Sequence, residues 1–85
     1  YEITQPCNIA QIYYRVPKST HVKLCVYDIH GKVVKKLIDQ EMPAGEYWII
    51  WNGINALNEP VSSGVYFCKF ESNGFSNSIK MLLLR

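Results

Sequence analysis

The chain has 85 residues, of which 48% are apolar and 13% aromatic, and its nine Lys and Arg outnumber its seven Asp and Glu. A chain this short forms one domain, residues 1–85, and buries only about 60–65% of its unfolded surface, so large side chains are needed for a core rather than for a deep catalytic cavity. The net charge of +2 is dispersed and gives no footprint for nucleic acid. No apolar run approaches the roughly 20 residues of a membrane helix, so we expect no membrane insertion.

Two early segments have the period of half-buried strands, because apolar residues recur at every second position. The residues expected to face the core are Ile12, Tyr14, Val16, Val22, Leu24 and Val26. The same alternation turns Cys25 away from the core, whereas Cys68 shares a face with apolar residues of a later strand. A disulfide between these two cysteines is therefore disfavoured. A weaker third strand is predicted over residues 33–38, ending at the polar residues 39–41.

A further strand is predicted over residues 46–51, which after Glu46 are apolar or aromatic on both faces. Such a pattern is typical of a central strand that is covered on both sides. Small sandwiches have two faces and several loops to cover, so we expect Trp48 and Trp51 to be buried.

The last two strands are predicted over residues 65–70 and 75–84. In the final strand the inward-facing residues are Ile79, Met81 and Leu83. Leu82 and Leu84 then fall on the opposite face. That face must either be covered or present apolar side chains to a partner, which could add a strand at this edge.

The connections contain residues that favour tight turns. Asp28 and Gly31 suit the first and fourth positions of a type I turn, and Asn73-Gly74 suits the centre of a type I′ hairpin. The longest loop is predicted at residues 52–60, which contain several Asn and a Pro. Six or seven short strands without a helical segment indicate an all-β fold, a small antiparallel immunoglobulin-like (fibronectin-III-like) β-sandwich.

Several short motifs, taken together in order, point to a known family. They are Tyr27-Asp28-Ile29-His30-Gly31, Pro43-Ala44-Gly45-Glu46-Tyr47, Trp51-Asn52-Gly53, Pro60-Val61-Ser62-Ser63-Gly64-Val65-Tyr66-Phe67 and Lys80-Met81. From about Pro6 to Arg85 the chain resembles the immunoglobulin-like domain of the flagellar hook-capping protein FlgD and the C-terminal sorting domains of the bacterial type IX secretion system. It departs from the usual family pattern at Cys7, where Phe is common. In the loop, members usually have Trp-Asp-Gly and a second Asp followed by Gly, where this chain has Trp51-Asn52-Gly53, Asn55 and Asn58, so two carboxylates are missing.

The resemblance implies a non-catalytic module at the C-terminus of a larger exported bacterial protein. In type IX cargo such a domain is recognised by outer-membrane secretion or attachment machinery, which directs the protein through the periplasm to the cell surface or medium. An upstream domain of the same polypeptide would be the other partner. The residues expected to serve sorting are Gly31, Gly45, Gly64, Val65, Tyr66, Lys80, Met81, Leu82, Leu84 and Arg85.

The resemblance also leaves two other non-catalytic functions open. Relatives in the hook cap act as an assembly scaffold, and similar domains occur as accessory modules of extracellular hydrolases, as a spacer or for carbohydrate binding. For the latter, Tyr13 and Trp48 fall on the strand faces opposite the core and could contact a polysaccharide.

We expect neither catalysis nor a bound cofactor or metal. His21 and His30 have no Cys or carboxylate at ligand spacing. Ser62-Ser63-Gly64 lacks the flanking glycine and the following helix of a nucleophile elbow. The loop with Asn55 has too few carboxylates to favour calcium.

Overall fold

A computed structural model describes the backbone of residues 2–4 and 10–84 and the side chains of residues 11–84. The departure from the family pattern at Cys7 and the predicted sorting residue Arg85 lie outside these residues. The strands are β1 (Glu2–Thr4), β2 (Ala10–Val16), β3 (Thr20–Tyr27), β4 (Val33–Met42), β5 (Gly45–Trp51), β6 (Gly64–Ser72) and β7 (Phe75–Leu83). No helix in this part of the chain is long and apolar enough to cross a bilayer.

The strands form two antiparallel sheets. One has the order β1-β2-β5 and the other has the order β4-β3-β6-β7. The apolar faces of both sheets contribute to one buried cluster, so each sheet has one face in the core and one outer face. The predicted small immunoglobulin-like β-sandwich is therefore confirmed.

Alternating residues of β2, β3, β6 and β7, with one residue each of β4 and β5, fill the core. The buried residues of the cluster are Ile12, Tyr14, Val16, Val22, Leu24, Val26, Met42, Trp51, Tyr66, Cys68, Phe70, Met81 and Leu83. Ring contacts connect the two layers, since Tyr14 lies 5.7 Å from Phe70 and Trp51 lies 5.2 Å from Tyr66 between ring centroids. Residues at spacing two thus form the core that their alternation predicts.

Two hairpins of the four-stranded sheet are closed by the predicted turns. The amide of Gly31 donates to the carbonyl oxygen of Asp28 at 3.1 Å, between β3 and β4. Between β6 and β7, Asn73 and Gly74 have φ values of 46° and 81°, the left-handed conformation that a type I′ turn requires at both central positions. One turn thus aligns β3 with β4, and the other aligns β6 with β7.

The prediction that residues 46–51 form a central strand is wrong. β5 lies at the edge of the three-stranded sheet and pairs only with β2 among the described strands. Trp51 is buried as expected, but Trp48 is 61% exposed and Ile50 is 57% exposed. Their side chains lie on the outer face of the sheet, where no described element covers them. One apolar face of β5 therefore packs in the core, and the other is exposed.

The structure also corrects the limits of the strands. β4 continues through the polar residues 39–41 to Met42, because it is an edge strand whose polar side chains remain in solvent. β1, which the sequence does not predict, adds three residues beside β2. These differences leave the predicted fold class unchanged.

Candidate partner-binding surfaces

Two of the predicted sorting residues belong to the core. Tyr66 and Met81 lie opposite one another on β6 and β7, and they are 7% and 1% exposed. The Tyr66 hydroxyl donates to the carbonyl oxygen of Ser62 at 2.7 Å, which fixes the segment that leads into β6. Their surroundings give both residues a structural role.

Other sorting candidates meet on the outer face of the four-stranded sheet. Val65 lies opposite Leu82, and Phe67 lies opposite Lys80. Across the sheet Phe67 lies opposite Tyr27, which in turn lies opposite Val33 on β4. Directly opposed residues share a face. We call the apolar members of these two neighbouring rows, Tyr27, Val33, Val65, Phe67 and Leu82, the outer patch.

The outer patch is accessible, although it is part of a regular sheet. Leu82 is 48% exposed and Val33 is 53% exposed, while the other three members are partly buried. Leu84, one residue beyond β7, is 53% exposed. Neighbouring apolar residues that extend over several strands at the surface are typical of a protein contact site.

The predicted glycines do not form a common site. Gly31 and Gly64 lie at the end of the sandwich that also holds the outer patch, whereas Gly45 lies opposite Val16 at the other end. Gly31 has a φ of 79° in the β3–β4 turn, a conformation that side chains rarely adopt. The turn alone therefore accounts for Gly31, and a sorting role of the three glycines stays a prediction.

The β3–β4 turn is stabilised by a carboxylate. Oδ1 of Asp28 accepts hydrogen bonds from the backbone amides of His30 and Lys32, at 2.9 Å and 3.0 Å. These amides, first that of Lys32, lower the pKa of Asp28. The turn beside the outer patch is therefore held by an ionised side chain.

In the loop between β5 and β6, one amide side chain accepts hydrogen bonds from the backbone. Oδ1 of Asn55 accepts hydrogen bonds from the backbone amides of Leu57 and Glu59, at 2.9 Å and 3.0 Å. An oxygen with two amide donors is oriented toward the chain rather than toward an ion. Asn55 thus organises the loop.

A second surface lies on the outer face of the three-stranded sheet. Three opposed pairs of β2 and β5 form it, and we call these residues, Gln11, Ile50, Tyr13, Trp48, Arg15 and Glu46, the aromatic face. The rings of Tyr13 and Trp48 are 5.2 Å apart and inclined by 53°. The Tyr13 hydroxyl donates to Oε1 of Glu46. The structure therefore brings the two predicted carbohydrate contacts together, one of them largely exposed.

The two described cysteines lie on opposite faces of the four-stranded sheet. No disulfide joins Cys25 to Cys68. Cys25 is outside the core cluster, as the alternation predicts, yet it is 2% exposed, because outer side chains such as Lys23 and Tyr27 surround it. Burial raises the pKa of both thiols, that of Cys68 to about 12.

The described side chains offer little for catalysis. Nε2 of His21 lies 2.5 Å from Oδ1 of Asp39, whose Oδ2 accepts a bond from Lys36 at 3.2 Å. The hydrogen bonds from His21, first, and from Lys36 lower the pKa of Asp39 at this exposed position. Within residues 11–84 no group of three or more His, Cys, Asp or Glu is arranged to hold a metal ion. A groove of 580 Å³ between the layers has Tyr14, Phe70 and other aromatic and polar residues in its wall, and none of its described lining residues is acidic, a histidine or a cysteine.

The three-plus-four arrangement defines an immunoglobulin-like β-sandwich domain. Among solved structures it is similar to the crystal structure of FlgD from P. aeruginosa, with a TM-score of 0.67 and 21% sequence identity over 95% of this chain and 65% of that chain. The chain thus spans less than two thirds of that FlgD chain. No protein-family model and no curated protein matches the sequence. These findings support a FlgD-like fold and provide nothing specific to a type IX sorting domain.

Proposed function

We propose that this domain is a non-catalytic docking module that attaches the protein carrying it to another protein through the outer patch. The observation that carries the proposal is the row of opposed apolar residues on an outer sheet face, with Leu82 half exposed beside Val65. A flat apolar row on β-strands fits a protein surface better than a small molecule, because it offers area without a deep cavity.

Of the two forms that such docking can take, the similarity to FlgD favours an assembly scaffold like that of the flagellar hook cap. Type IX sorting is the second candidate. It is favoured by one observation, namely that Val65 and Leu82, both predicted sorting residues, form an opposed pair on the outer face of the strand pair nearest the C-terminal end. In the sorting form the domain would be the C-terminal module of a larger protein that travels through the periplasm to the surface or medium.

A photo-reactive amino acid at position 82 of the parent protein, in its own host, tests both forms. Position 78 is the matched control, because Ser78 lies on the same strand and the same outer face but outside the outer patch. Cross-links from position 82 to a flagellar axial protein support the scaffold, and cross-links to an outer-membrane secretion component support sorting. Equal cross-linking from both positions, or none from position 82, contradicts docking through the outer patch.

Carbohydrate binding by the aromatic face is a further candidate, because Trp48 is 61% exposed beside Tyr13. A pyranose ring can stack on the indole while Glu46, Arg15 and Gln11 reach its hydroxyl groups. The test is retention of the chain on insoluble polysaccharides. Retention that is lost in Trp48→Ala and kept in Leu57→Ala supports this candidate, and no retention on a broad panel of glycans removes it.

A further inference from the structure

The edge strands of the sandwich differ in how they are protected from pairing with another chain. β4 has Lys35 and Lys36 and two register shifts against β3, and β7 has three polar residues after Phe75 and also contains Lys80. β1 has three described residues. Lysines, irregular pairing and short length are the usual protections of a sheet edge.

β5 has none of these protections. Its residues after Gly45 are Glu46, Tyr47, Trp48, Ile49, Ile50 and Trp51, with one charge and no proline. It pairs with β2 over seven consecutive positions without a register shift, so its second edge is straight. In the described residues, backbone hydrogen bonds outside the strand ladders do not involve residues 45–51. A long, regular, apolar edge is a template for a further strand.

We propose that β5 pairs antiparallel with β5 of a second copy of this chain, about a two-fold axis at Ile49. Opposed residues of an antiparallel pair share a face, so the sum of their positions must be even for outward residues to meet outward residues. With the axis at Ile49, Trp48 lies opposite Ile50 of the other copy, and this pair occurs twice. An axis at Trp48 would instead place the Glu46 carboxylate opposite Ile50.

The resulting dimer has one continuous sheet of six strands in the order β1-β2-β5-β5-β2-β1. The interface is isologous, so it closes after two copies and does not continue into a fibre. It covers the two most exposed apolar residues of the aromatic face, Trp48 and Ile50. The contact is a single pair of short strands with an apolar face, so the dimer is weak and reversible. This inference does not involve the outer patch and is independent of the proposed docking function.

Sedimentation equilibrium of the 85-residue chain tests the inference. Ile50→Lys places a charge opposite Trp48 of the second copy and leaves the core intact, so we expect it to weaken dimerisation by about tenfold or more. Leu57→Lys is the matched control, since Leu57 is a 76% exposed apolar residue in a loop. Leu82→Lys tests the alternative that dimers form through the outer patch. Both of these variants should dimerise like the unmodified chain.

The register is tested by NMR on a mixture of isotope-labelled and unlabelled chains, in which we expect intermolecular contacts between Trp48 and Ile50. A chain that remains monomeric at about 1 mM overturns the inference, as does a dimer that Ile50→Lys leaves intact or that Leu82→Lys disrupts. Polysaccharide binding by a strictly monomeric chain would assign the aromatic face to carbohydrate instead.

Discussion

Removal of the terminal residues 80–85 is the obvious test of a sorting role, but the structure predicts that it unfolds the domain. The deletion removes Met81 and Leu83, each 1% exposed. It also removes the β7 partners of four β6 residues, Gly64 to Phe67. A parent protein that fails to leave the cell after this deletion would therefore reveal loss of folding rather than loss of a signal.

The magnitude follows from the burial of the two side chains. Loss of a large buried apolar side chain costs about 2–5 kcal/mol, so that the two together cost about 4–10 kcal/mol. A chain of 85 residues has a free energy of unfolding of about 4–13 kcal/mol. The deletion therefore removes most or all of the stability. Leu82→Ser should cost only about 1 kcal/mol, because Leu82 is half exposed in the native state.

The assay combines urea unfolding of the isolated chain with export of a reporter fused in front of it, in a host with type IX secretion. The variants are the 80–85 deletion, Leu82→Ser and the control Phe75→Ser, which removes an exposed apolar residue of β7 outside the outer patch. If sorting uses the outer patch, Leu82→Ser is folded but retained in the periplasm, whereas Phe75→Ser is exported.

Two results would refute this reasoning. A deletion chain that keeps its free energy of unfolding within about 1 kcal/mol of the intact chain would show that Met81 and Leu83 contribute little to the core. Normal export of Leu82→Ser, together with failure of an unfolded deletion chain, would show that sorting requires the folded domain but not its outer patch.

Three further predictions concern single groups. Cys25 and Cys68 should resist iodoacetamide in the native chain and react only after unfolding, because burial raises the pKa of both thiols. Peptide mass spectrometry measures the labelling of each cysteine, and rapid labelling in the native chain would contradict the prediction. Asn55→Ala should lower the free energy of unfolding by about 1–2 kcal/mol. Asn55→Asp should lower it by clearly less, since the Asp side chain keeps an oxygen for the two loop amides. Equal losses in urea unfolding would exclude the role of Asn55 as an acceptor for these amides. The pKa values of Asp28 and Asp39 are lowered from 3.8, that of Asp28 first by a backbone amide and that of Asp39 first by a histidine side chain. The contribution of the two ionised carboxylates to the free energy of unfolding is therefore present above about pH 4 and is lost as the pH falls through the folded-state pKa values. Asp28→Asn should flatten this acid dependence, and an unchanged pH profile would contradict the prediction.

The sequence predicts the parts of this fold that depend on local chemistry. Alternation identifies the buried faces of β2 and β3, and Asn73-Gly74 identifies a hairpin, because few residue pairs adopt two left-handed conformations in succession. Alternation does not identify the environment of β5, since the sequence pattern of a strand with two apolar faces is the same whether the second face is covered by protein or exposed. The position of a strand within its sheet depends on contacts distant in sequence, which periodicity does not encode.

The surfaces are predicted less completely than the fold. Leu82 is identified from its sequence as an outward apolar residue, and the structure places it there. Its neighbours in the outer patch, Tyr27 and Phe67, belong to strands far apart in the chain and are joined only by the register of β3 and β6. The sequence does not predict the exposure of Trp48, because large aromatic residues are usually covered in small domains.

The outer patch and the aromatic face belong to different layers, with the core between them. A partner on one layer would therefore not obstruct a partner on the other, and if both surfaces bind, the domain would act as a bivalent adaptor. Two copies joined through β5 would present two outer patches, so that a surface with repeated binding sites would hold the pair far more tightly than one copy. Attachment of the protein would then respond steeply to its local concentration.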